Sequence, residues 1–317
     1  MNGEVEPASE LTPELRAFVE FVAKKGRELY RDLPWRRTYD PYAIWISEVM
    51  LQQTQVSRVD GRWQRWLERF PTVDALAAAA PSDVLEEWQG LGYNRRALSV
   101  HRAAQAISEA GGIFPQDPKE LVKLPGIGPA TAAGICAFAF NLHGVYLETN
   151  VRTVFLHELY PQAEGVPDSE LVPLVELTCP ASVASTANAD SAANVVDTNG
   201  ATKDATAALT PRSWYYALLD YGAYLKKTIP NPSRRSKSHV KQSRFEGSHR
   251  QKRAELLRVL LAHKDERGAE FETLHQELCQ IEVNAGRETL DEQVTLGLLE
   301  ELAKEGFCQK NDEYWMP

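Results

Sequence analysis

The chain has 317 residues, 43% of them hydrophobic, which predicts two domains with a small third and enough apolar side chains for their cores. No run of about 18 apolar residues occurs, and the acidic start, Met1 to Glu10, does not resemble a signal peptide. The net charge of −9 taken alone argues against a nucleic-acid partner, so the distribution of charge matters more than its sum.

Cysteine use indicates the compartment. Cys136, Cys179, Cys279 and Cys308 are far apart in the chain, which predicts neither a disulfide framework nor a metal site. Unpaired cysteines are typical of a reducing compartment. We therefore expect a cytoplasmic protein, associated with the nucleoid if it binds DNA.

Apolar periodicity and helix caps predict a helical chain. The predicted helices cover, in chain order, 10–29, 42–57, 59–69, 73–79, 82–88, 94–110, 117–123, 151–159, 170–178 and 213–225. Between about Cys179 and Leu209 the composition changes to Ala, Ser, Thr, Asn and Asp. Such a segment cannot bury enough apolar surface to fold, so residues 177–211 are predicted to be a disordered insertion.

A separate unit is predicted over residues 246–317. Three helical stripes precede a strand-like tail, Phe307-Cys308 and Tyr314-Trp315, and this order resembles a winged helix. The third helix is acidic and would read a DNA groove poorly, since it carries Asp291, Glu292, Glu300, Glu301 and Glu305. We interpret the unit as a packing module that contacts a protein partner.

The stretch 226–253 is strongly basic, with ten Lys and Arg residues against the single acid Glu246. A solvated linker is the alternative interpretation. The basic excess inside an acidic chain favours phosphate contacts, with Arg234, Arg235 and Lys237 as the candidates.

A glycine hairpin, Leu124-Pro125-Gly126-Ile127-Gly128, precedes a small-residue helix. Gly126 and Gly128 permit a tight turn. The following helix then presents unpaired amides to an anion, with Ala130 and Thr131 at its start. The alternative is an ordinary helix–turn–helix connection.

Glu48 lies within an otherwise apolar helix. A carboxyl group there is either paired or has a raised pKa suited to a general acid; the alternative is a glutamate on the helix surface. Gln52 and Gln53 follow one turn later. Glu148 and Asn150 follow the hairpin by about twenty residues.

Together these segments resemble the helix–hairpin–helix (HhH-GPD) DNA glycosylases, most closely the MutY-type adenine glycosylases. The motifs are Leu33-Pro34-Trp35-Arg36, the run from Ser47 to Val56, Phe70-Pro71-Thr72, Gly90-Leu91-Gly92-Tyr93, the hairpin, and Glu148-Thr149-Asn150-Val151. The likeness covers roughly residues 12–240 without the insertion. It implies an all-α, two-lobed fold, with one lobe from 1–41 and 151–245, a helical barrel lobe from 42–150, and the winged-helix-like unit.

The resemblance also implies roles. Such enzymes flip a base out of the duplex. Glu48 would protonate the purine, and Glu148, with Asn150, would stabilise the cationic sugar, as paired carboxylates do in glycoside hydrolysis. Six further positions would contact DNA: Gln53 as a wedge beside Gln52, Tyr93 with Leu91 at the lesion pocket, and Gly126 with Gly128 on a phosphate.

The chain departs from the family pattern at several places. Position 148 is Glu where the family has Asp, and the added methylene moves the carboxylate by about 1.5 Å. No cysteines occupy residues 226–245, where the family holds an iron–sulfur cluster, so no cofactor is expected. The acidic unit at 251–317 does not resemble the family's C-terminal oxoguanine-reading domain, so we expect that domain to be missing.

Ala130 stands where related lyases place a Schiff-base lysine. We therefore predict a monofunctional glycosylase. Its expected substrate is double-stranded DNA that carries a mismatched or damaged base, adenine being favoured. We also expect a monomer with no membrane contact. The alternatives are a uracil or thymine mismatch glycosylase and a catalytically weak DNA-binding or recruiting module.

Overall fold

The computed structural model describes residues 11–182, 208–239, 244–266 and 268–317. Residues 183–207, most of the predicted insertion, lie outside the described residues. The helices are α1 (Pro13–Glu28), α2 (Pro41–Leu51), α3 (Val56–Val59), α4 (Arg62–Arg69), α5 (Val73–Ala77), α6 (Pro81–Trp88), α7 (Arg95–Glu109), α8 (Pro118–Leu121), α9 (Pro129–Phe140), α10 (Thr149–Glu158), α11 (Asp168–Thr178), α12 (Pro211–Thr228), α13 (His249–Ala262), α14 (Phe271–Asn284) and α15 (Glu292–Glu305). The strands are β1 (Ala269–Glu270), β2 (Gln309–Asn311) and β3 (Tyr314–Met316).

The described residues form two compact units, and the chain passes between them within α2 and around the hairpin. The first unit comprises residues 11–48, 115–123, 127–182 and 208–239, and the second comprises residues 49–114, 124–126, 244–266 and 268–317. None of the described helices combines the length and the apolarity needed to cross a bilayer.

Helix α12 is the centre of the first unit, where it packs against α1, α9 and α10. Its N-terminus has a capping box, because the side chains of Thr210 and Ser213 each accept a hydrogen bond from the other residue's backbone N–H. Trp214 and Tyr215 then lie fully buried among the apolar side chains of the neighbouring helices.

The Leu33-Pro34-Trp35-Arg36 motif has a structural role in this unit. Arg36, in a short 3₁₀ turn, is buried and donates to both carboxylate oxygens of Asp220 on α12, at 2.7 and 2.9 Å. Its guanidinium also lies 4.3 Å from the ring centre of Tyr216. Removing either partner of this buried ion pair would leave the other charge buried without compensation, which is strongly destabilising. The turn and α12 therefore depend on each other.

In the second unit, α7 packs against α5 and α6. The helix predicted over 42–57 is wrong at its C-terminal end: α2 stops at Leu51 and a separate turn of helix, α3, follows. The cause is Gln53, whose φ of 55° lies in the left-handed region and cannot continue a right-handed helix.

Residues 249–317 have the element order of a winged helix, α13-β1-α14-α15-β2-β3, with an antiparallel sheet in the order β1-β3-β2. The predicted strand at Phe307-Cys308 is wrong: both residues are buried just before β2. The strand at Tyr314-Trp315 is confirmed. Lys264 ties this part to α6 through Asp83 and Glu86, at 3.0 and 2.7 Å. The predicted all-α fold with a winged-helix-like C-terminal part is confirmed.

Candidate active site

Glu48 is half-buried on α2, a helix whose other residues are mostly buried. Its neighbours on α2, from Tyr42 to Ser47 and then Val49 and Met50, are all buried. The pKa of Glu48 is raised to about 7, mainly by loss of water around the carboxylate, and the nearby charge of Glu148 acts in the same direction. The group can therefore hold a proton near neutral pH, as expected for a carboxyl group in an apolar helix.

Two residues that the sequence analysis missed define the setting of this carboxylate. Tyr146 is buried, and its hydroxyl donates to Oε2 of Glu48 at 2.9 Å, which favours the charged form and lowers the pKa of Glu48. On α9, a Cβ at Gly134 would lie 2.6 Å from the same oxygen. Because no real Cβ atom fits at that distance, only glycine lets α9 pass so close to the acid.

The connection between α9 and α10 carries Tyr146 and is held from α12. The hydroxyl of Tyr215 accepts from the backbone N–H of Tyr146 at 3.1 Å and donates to the carbonyl oxygen of Gly144. Both bonds are buried or partly buried, and they satisfy polar groups that water reaches poorly there. The position of Tyr146, and with it the Glu48 hydrogen bond, is thereby fixed by α12.

Glu148 caps the N-terminus of α10. Its Oε1 accepts from the backbone N–H groups of Asn150 and Val151, at 2.6 and 3.2 Å. Burial raises the pKa of Glu148, while these N–H donors and the ammonium of Lys226 act in the opposite direction. Lys226 also donates to Oδ1 of Asn150 at 3.1 Å. The side chains of Glu148, Asn150 and Lys226 therefore meet at the N-terminus of α10.

The hairpin geometry requires a glycine at position 126 but not at position 128. Gly126 has a φ of 76°, and a Cβ there would lie 2.5 Å from that of Ser99. Gly128 has a φ of −86°, a backbone conformation that any residue adopts, and it serves as the N-cap of α9. The expectation that both glycines supply a special conformation is therefore wrong for Gly128.

Of the two residues in the first turn of α9 that were predicted to contact DNA, only one is exposed. Ala130 is exposed, whereas Thr131 is 7% exposed and lies on the inner face of the helix. The buried Thr131 therefore leaves little surface for a phosphate contact. We correct the expectation for Thr131 accordingly.

The remaining candidate base contacts lie in the second unit. Gln53 and Tyr93 are exposed and both have positive φ, and Gln52 is half-buried. Leu91 is 4% exposed, so it supports the turn from inside rather than reaching a ligand. Gln53 and Tyr93 thus combine exposure with an uncommon backbone conformation, a pairing frequent at binding sites.

The basic segment that follows α12 contains exposed cations and one arginine that is hydrogen-bonded within the chain. Arg234 and Lys237 are exposed. The guanidinium of Arg235 instead donates to the carbonyl oxygens of Leu156, at 2.8 Å, and Tyr160, at the C-terminal end of α10. Such a capping arginine is already satisfied within the chain, which corrects the expectation that Arg235 contacts phosphate.

The described residues contain no grouping of three or more His, Cys, Asp or Glu side chains that could hold a metal ion. All four cysteines are free thiols away from residues 226–245. The thiolate donors that an iron–sulfur cluster needs are therefore not in the segment where the resemblance places one. This donor set does not fit a cluster.

The geometry of the first unit suits proton transfer to a leaving group. One carboxyl group, Glu48, has its pKa raised to about 7, and a second, Glu148, is hydrogen-bonded to the N-terminal amides of a helix. Two carboxyl groups in different environments are the usual basis for an acid and a charge-stabilising partner.

Comparison with known proteins agrees with this chemistry. Residues 46–202 match the family model described as HhH-GPD superfamily base excision DNA repair protein. The adenine DNA glycosylase of Mycolicibacterium smegmatis is 42% identical over 152 residues, covering 47% of this chain and 52% of that protein. The human adenine DNA glycosylase is 39% identical over 134 residues, covering 39% of this chain and 24% of that protein. The chain thus spans about half the length, or less, of these curated relatives.

Among solved structures, a thermostable thymine-DNA glycosylase has a similar fold. The TM-score is 0.54 at 21% sequence identity, with 69% of this chain and 90% of that chain covered. The helical fold, the hairpin and the family match agree, and residues 46–202 of the chain belong to the HhH-GPD superfamily of base excision DNA repair proteins.

Proposed function

We propose that this chain is a monofunctional DNA N-glycosylase that acts as a monomer on double-stranded DNA and removes a flipped, mispaired base, with adenine as the favoured base. The observation that carries the proposal is the Glu48 carboxyl group, which holds a proton near pH 7 and lies in the same unit as Glu148. The adenine specificity is supported by the names of the curated relatives.

The proposed reaction is a hydrolysis of the N-glycosidic bond. The protonated Glu48 gives its proton to a ring nitrogen of the extruded purine, and the C1′–N9 bond breaks with its electron pair going to the base. The carboxylate of Glu148 opposes the positive charge that develops on the sugar. A water molecule adds to C1′ and releases one proton to solvent, leaving the free base and an abasic sugar, and the Glu48 carboxylate takes up a proton from solvent.

The proposed absence of lyase chemistry is supported by the first turn of α9. Strand cleavage through a Schiff base needs an amine on the enzyme, and Ala130 supplies none. Borohydride treatment during turnover on a mismatched duplex is expected to trap no covalent enzyme–DNA adduct. A trapped adduct would contradict the monofunctional assignment.

We also propose that the enzyme works without an iron–sulfur cluster. The support is the lack of any cysteine in residues 226–245. In place of a cluster, the described part of this segment is held by Arg235 on the end of α10 and by a parallel bridge between Val166 and Ser236. Iron analysis of the purified protein is expected to give no stoichiometric iron, and one cluster per chain would overturn this point.

The excision experiment is a single-turnover panel. Duplexes carrying A:G, A:oxoguanine, U:G, T:G and a hypoxanthine pair are incubated with the wild type, with Glu48→Gln and with Glu148→Ala. We expect excision of adenine by the wild type and none by Glu48→Gln. Excision of pyrimidines alone would select the uracil or thymine alternative. No excision from any duplex would leave only the DNA-binding alternative.

DNA-backbone contact is tested separately with Arg234 and Lys237. The double replacement by Ala is expected to weaken binding alike on every sequence and to reduce the slope of log affinity against log salt by about 2. The matched control is the double replacement of Arg16 and Lys24 by Ala, because these exposed residues lie on α1 of the same unit. Equal effects of the two double variants would exclude a local phosphate site.

A further inference from the structure

We propose that Arg96 is the positioning residue that fixes the two base-reading turns of the second unit, residues 52–54 and 91–93, as one rigid surface. The proposal deepens the proposed function and rests on it, because it assigns a support to the residues expected to touch the lesion. Arg96 lies in the first turn of α7 and belongs, like both turns, to the second unit.

Backbone conformation singles out these two turns. Four non-glycine residues among the described ones have positive φ: Gln53, Tyr93, Asn141 and Asp312. Asn141 is the C-cap of α9, and Asp312 lies in the turn between β2 and β3, where left-handed residues are common. Gln53 follows the end of α2 and Tyr93 precedes the N-cap of α7, and neither residue type favours the left-handed region, so the surrounding structure has to hold their conformation.

The guanidinium of Arg96 supplies that hold by hydrogen-bonding to both turns. Its Nη1 donates to the carbonyl oxygens of Val49 and Gln52, at 2.6 and 2.7 Å. Its Nη2 donates to the carbonyl oxygens of Gly92 and Leu91, at 3.0 and 3.3 Å. One planar group therefore joins the end of α2 to the loop before α7.

Aromatic rings enclose the same guanidinium. Its central carbon lies 5.3 Å from the ring centre of Trp88 and 5.5 Å from that of Tyr93. The indole N–H of Trp88 donates to the carbonyl oxygen of Gly92 at 3.1 Å, so that oxygen accepts from both residues. Burial lowers the pKa of Arg96 to about 10, which still leaves the side chain charged at neutral pH.

A lysine cannot replace this arrangement. Its ammonium is a point charge with no planar fork, so it cannot serve carbonyl oxygens on two turns and stack on two rings together. Replacement of Arg96 would therefore release both turns, although neither would lose a residue that touches DNA. Displacements of about 1 Å at reacting groups can cost about 100-fold in rate.

The test compares Arg96→Lys with Arg102→Lys, an exposed position on the same helix. Without DNA, Arg96→Lys is expected to raise hydrogen–deuterium exchange in peptides covering 49–56 and 90–96 together, with exchange elsewhere in the second unit unchanged. On DNA, the ratio of affinities for mismatched and fully paired duplex is expected to fall by about 10-fold, the factor for one lost charge-assisted hydrogen bond. Affinity for the paired duplex is expected to change by less than about 2-fold, since phosphate contacts carry no sequence information.

The two arms separate failure of this proposal from failure of the proposed function. Unchanged exchange in either turn would overturn the role of Arg96, whatever the enzyme excises. A rise in exchange across the whole of α4 to α7 would also overturn it, because it would indicate general packing. A wild type that excises no base but shows the paired rise in exchange would refute the glycosylase function and leave the positioning role of Arg96 intact.

Discussion

Replacing Tyr146 by Phe tests how the proton on Glu48 is controlled. The change removes the hydroxyl that donates to Oε2 of Glu48 at 2.9 Å and retains the ring. That ring packs edge-on against Phe138 and Tyr215, with centroids 5.2 and 5.3 Å away. The packing is therefore preserved, and the proton affinity of the acid is the quantity that changes.

The direction and size of the effect follow from the hydrogen bond. Donation from Tyr146 favours the charged form and holds the pKa of Glu48 below the value that burial alone would set. A hydrogen bond to a charged group contributes about 1.5–3 kcal/mol, and one pKa unit corresponds to about 1.36 kcal/mol. Its loss is expected to raise the pKa of Glu48 from about 7 by about one to two units.

In the proposed reaction the protonated form of Glu48 is the active one, so excision is expected to fall as pH rises through its pKa. In the wild type the single-turnover rate is expected to decline about tenfold per unit above about pH 7. In Tyr146→Phe the decline is expected to begin about one to two units higher.

The assay is the pH profile of single-turnover adenine excision, recorded together with thermal unfolding. Tyr224→Phe is the matched control, since Tyr224 is exposed on α12 in the same unit. An alkaline decline at the same pH in Tyr146→Phe and in the wild type, or one moved to lower pH, would refute the role given to the hydroxyl.

Three further replacements separate position, charge and stability. Gly134→Ala puts a Cβ 2.6 Å from Oε2 of Glu48, so the single-turnover rate is expected to fall by about 100-fold; an unchanged rate would mean that the carboxylate need not lie there. Glu148→Gln keeps an oxygen for capping α10 and loses the charge, so excision should vanish with urea stability within about 0.5 kcal/mol of wild type, whereas Glu148→Ala should also lose about 1 kcal/mol. Equal stability of these two variants would argue against the cap. Asp220→Asn leaves Arg36 buried without its countercharge, and urea unfolding should show a loss of about 3–5 kcal/mol; a loss below about 1 kcal/mol would contradict the dependence of the turn on α12.

Local patterns in the sequence were sufficient for most of the helices and for the apolar surroundings of Glu48. Periodicity places α1, α6, α7 and α12 within a few residues of their observed bounds. The pKa of Glu48 could be anticipated because its helix neighbours are apolar, and burial is the largest cause of its shift. Both features depend on residues close together in the chain.

What the sequence could not supply depends on contacts between distant segments. Tyr146 lies 98 residues from the carboxylate it binds, and no period links the two. The need for Gly134 is set by Glu48 and Tyr146, not by its own neighbours on α9. Burial of Leu91 and Thr131 depends in the same way on what packs against them. The sequence did carry a weak signal, a run of small residues in α9, which indicates that something approaches that helix closely.

The connection between α9 and α10 bears both Tyr146 and Glu148, two residues apart. The residue that sets the pKa of the proposed proton donor and the carboxylate proposed to face the sugar therefore lie on one short connection. That link is held at Tyr146 and Gly144 by a single hydroxyl, the one on Tyr215 of α12. A small movement of α12 would change both the pKa of Glu48 and the position of Glu148. In the proposed reaction, Tyr215 therefore links the surroundings of the acid Glu48 to those of Glu148.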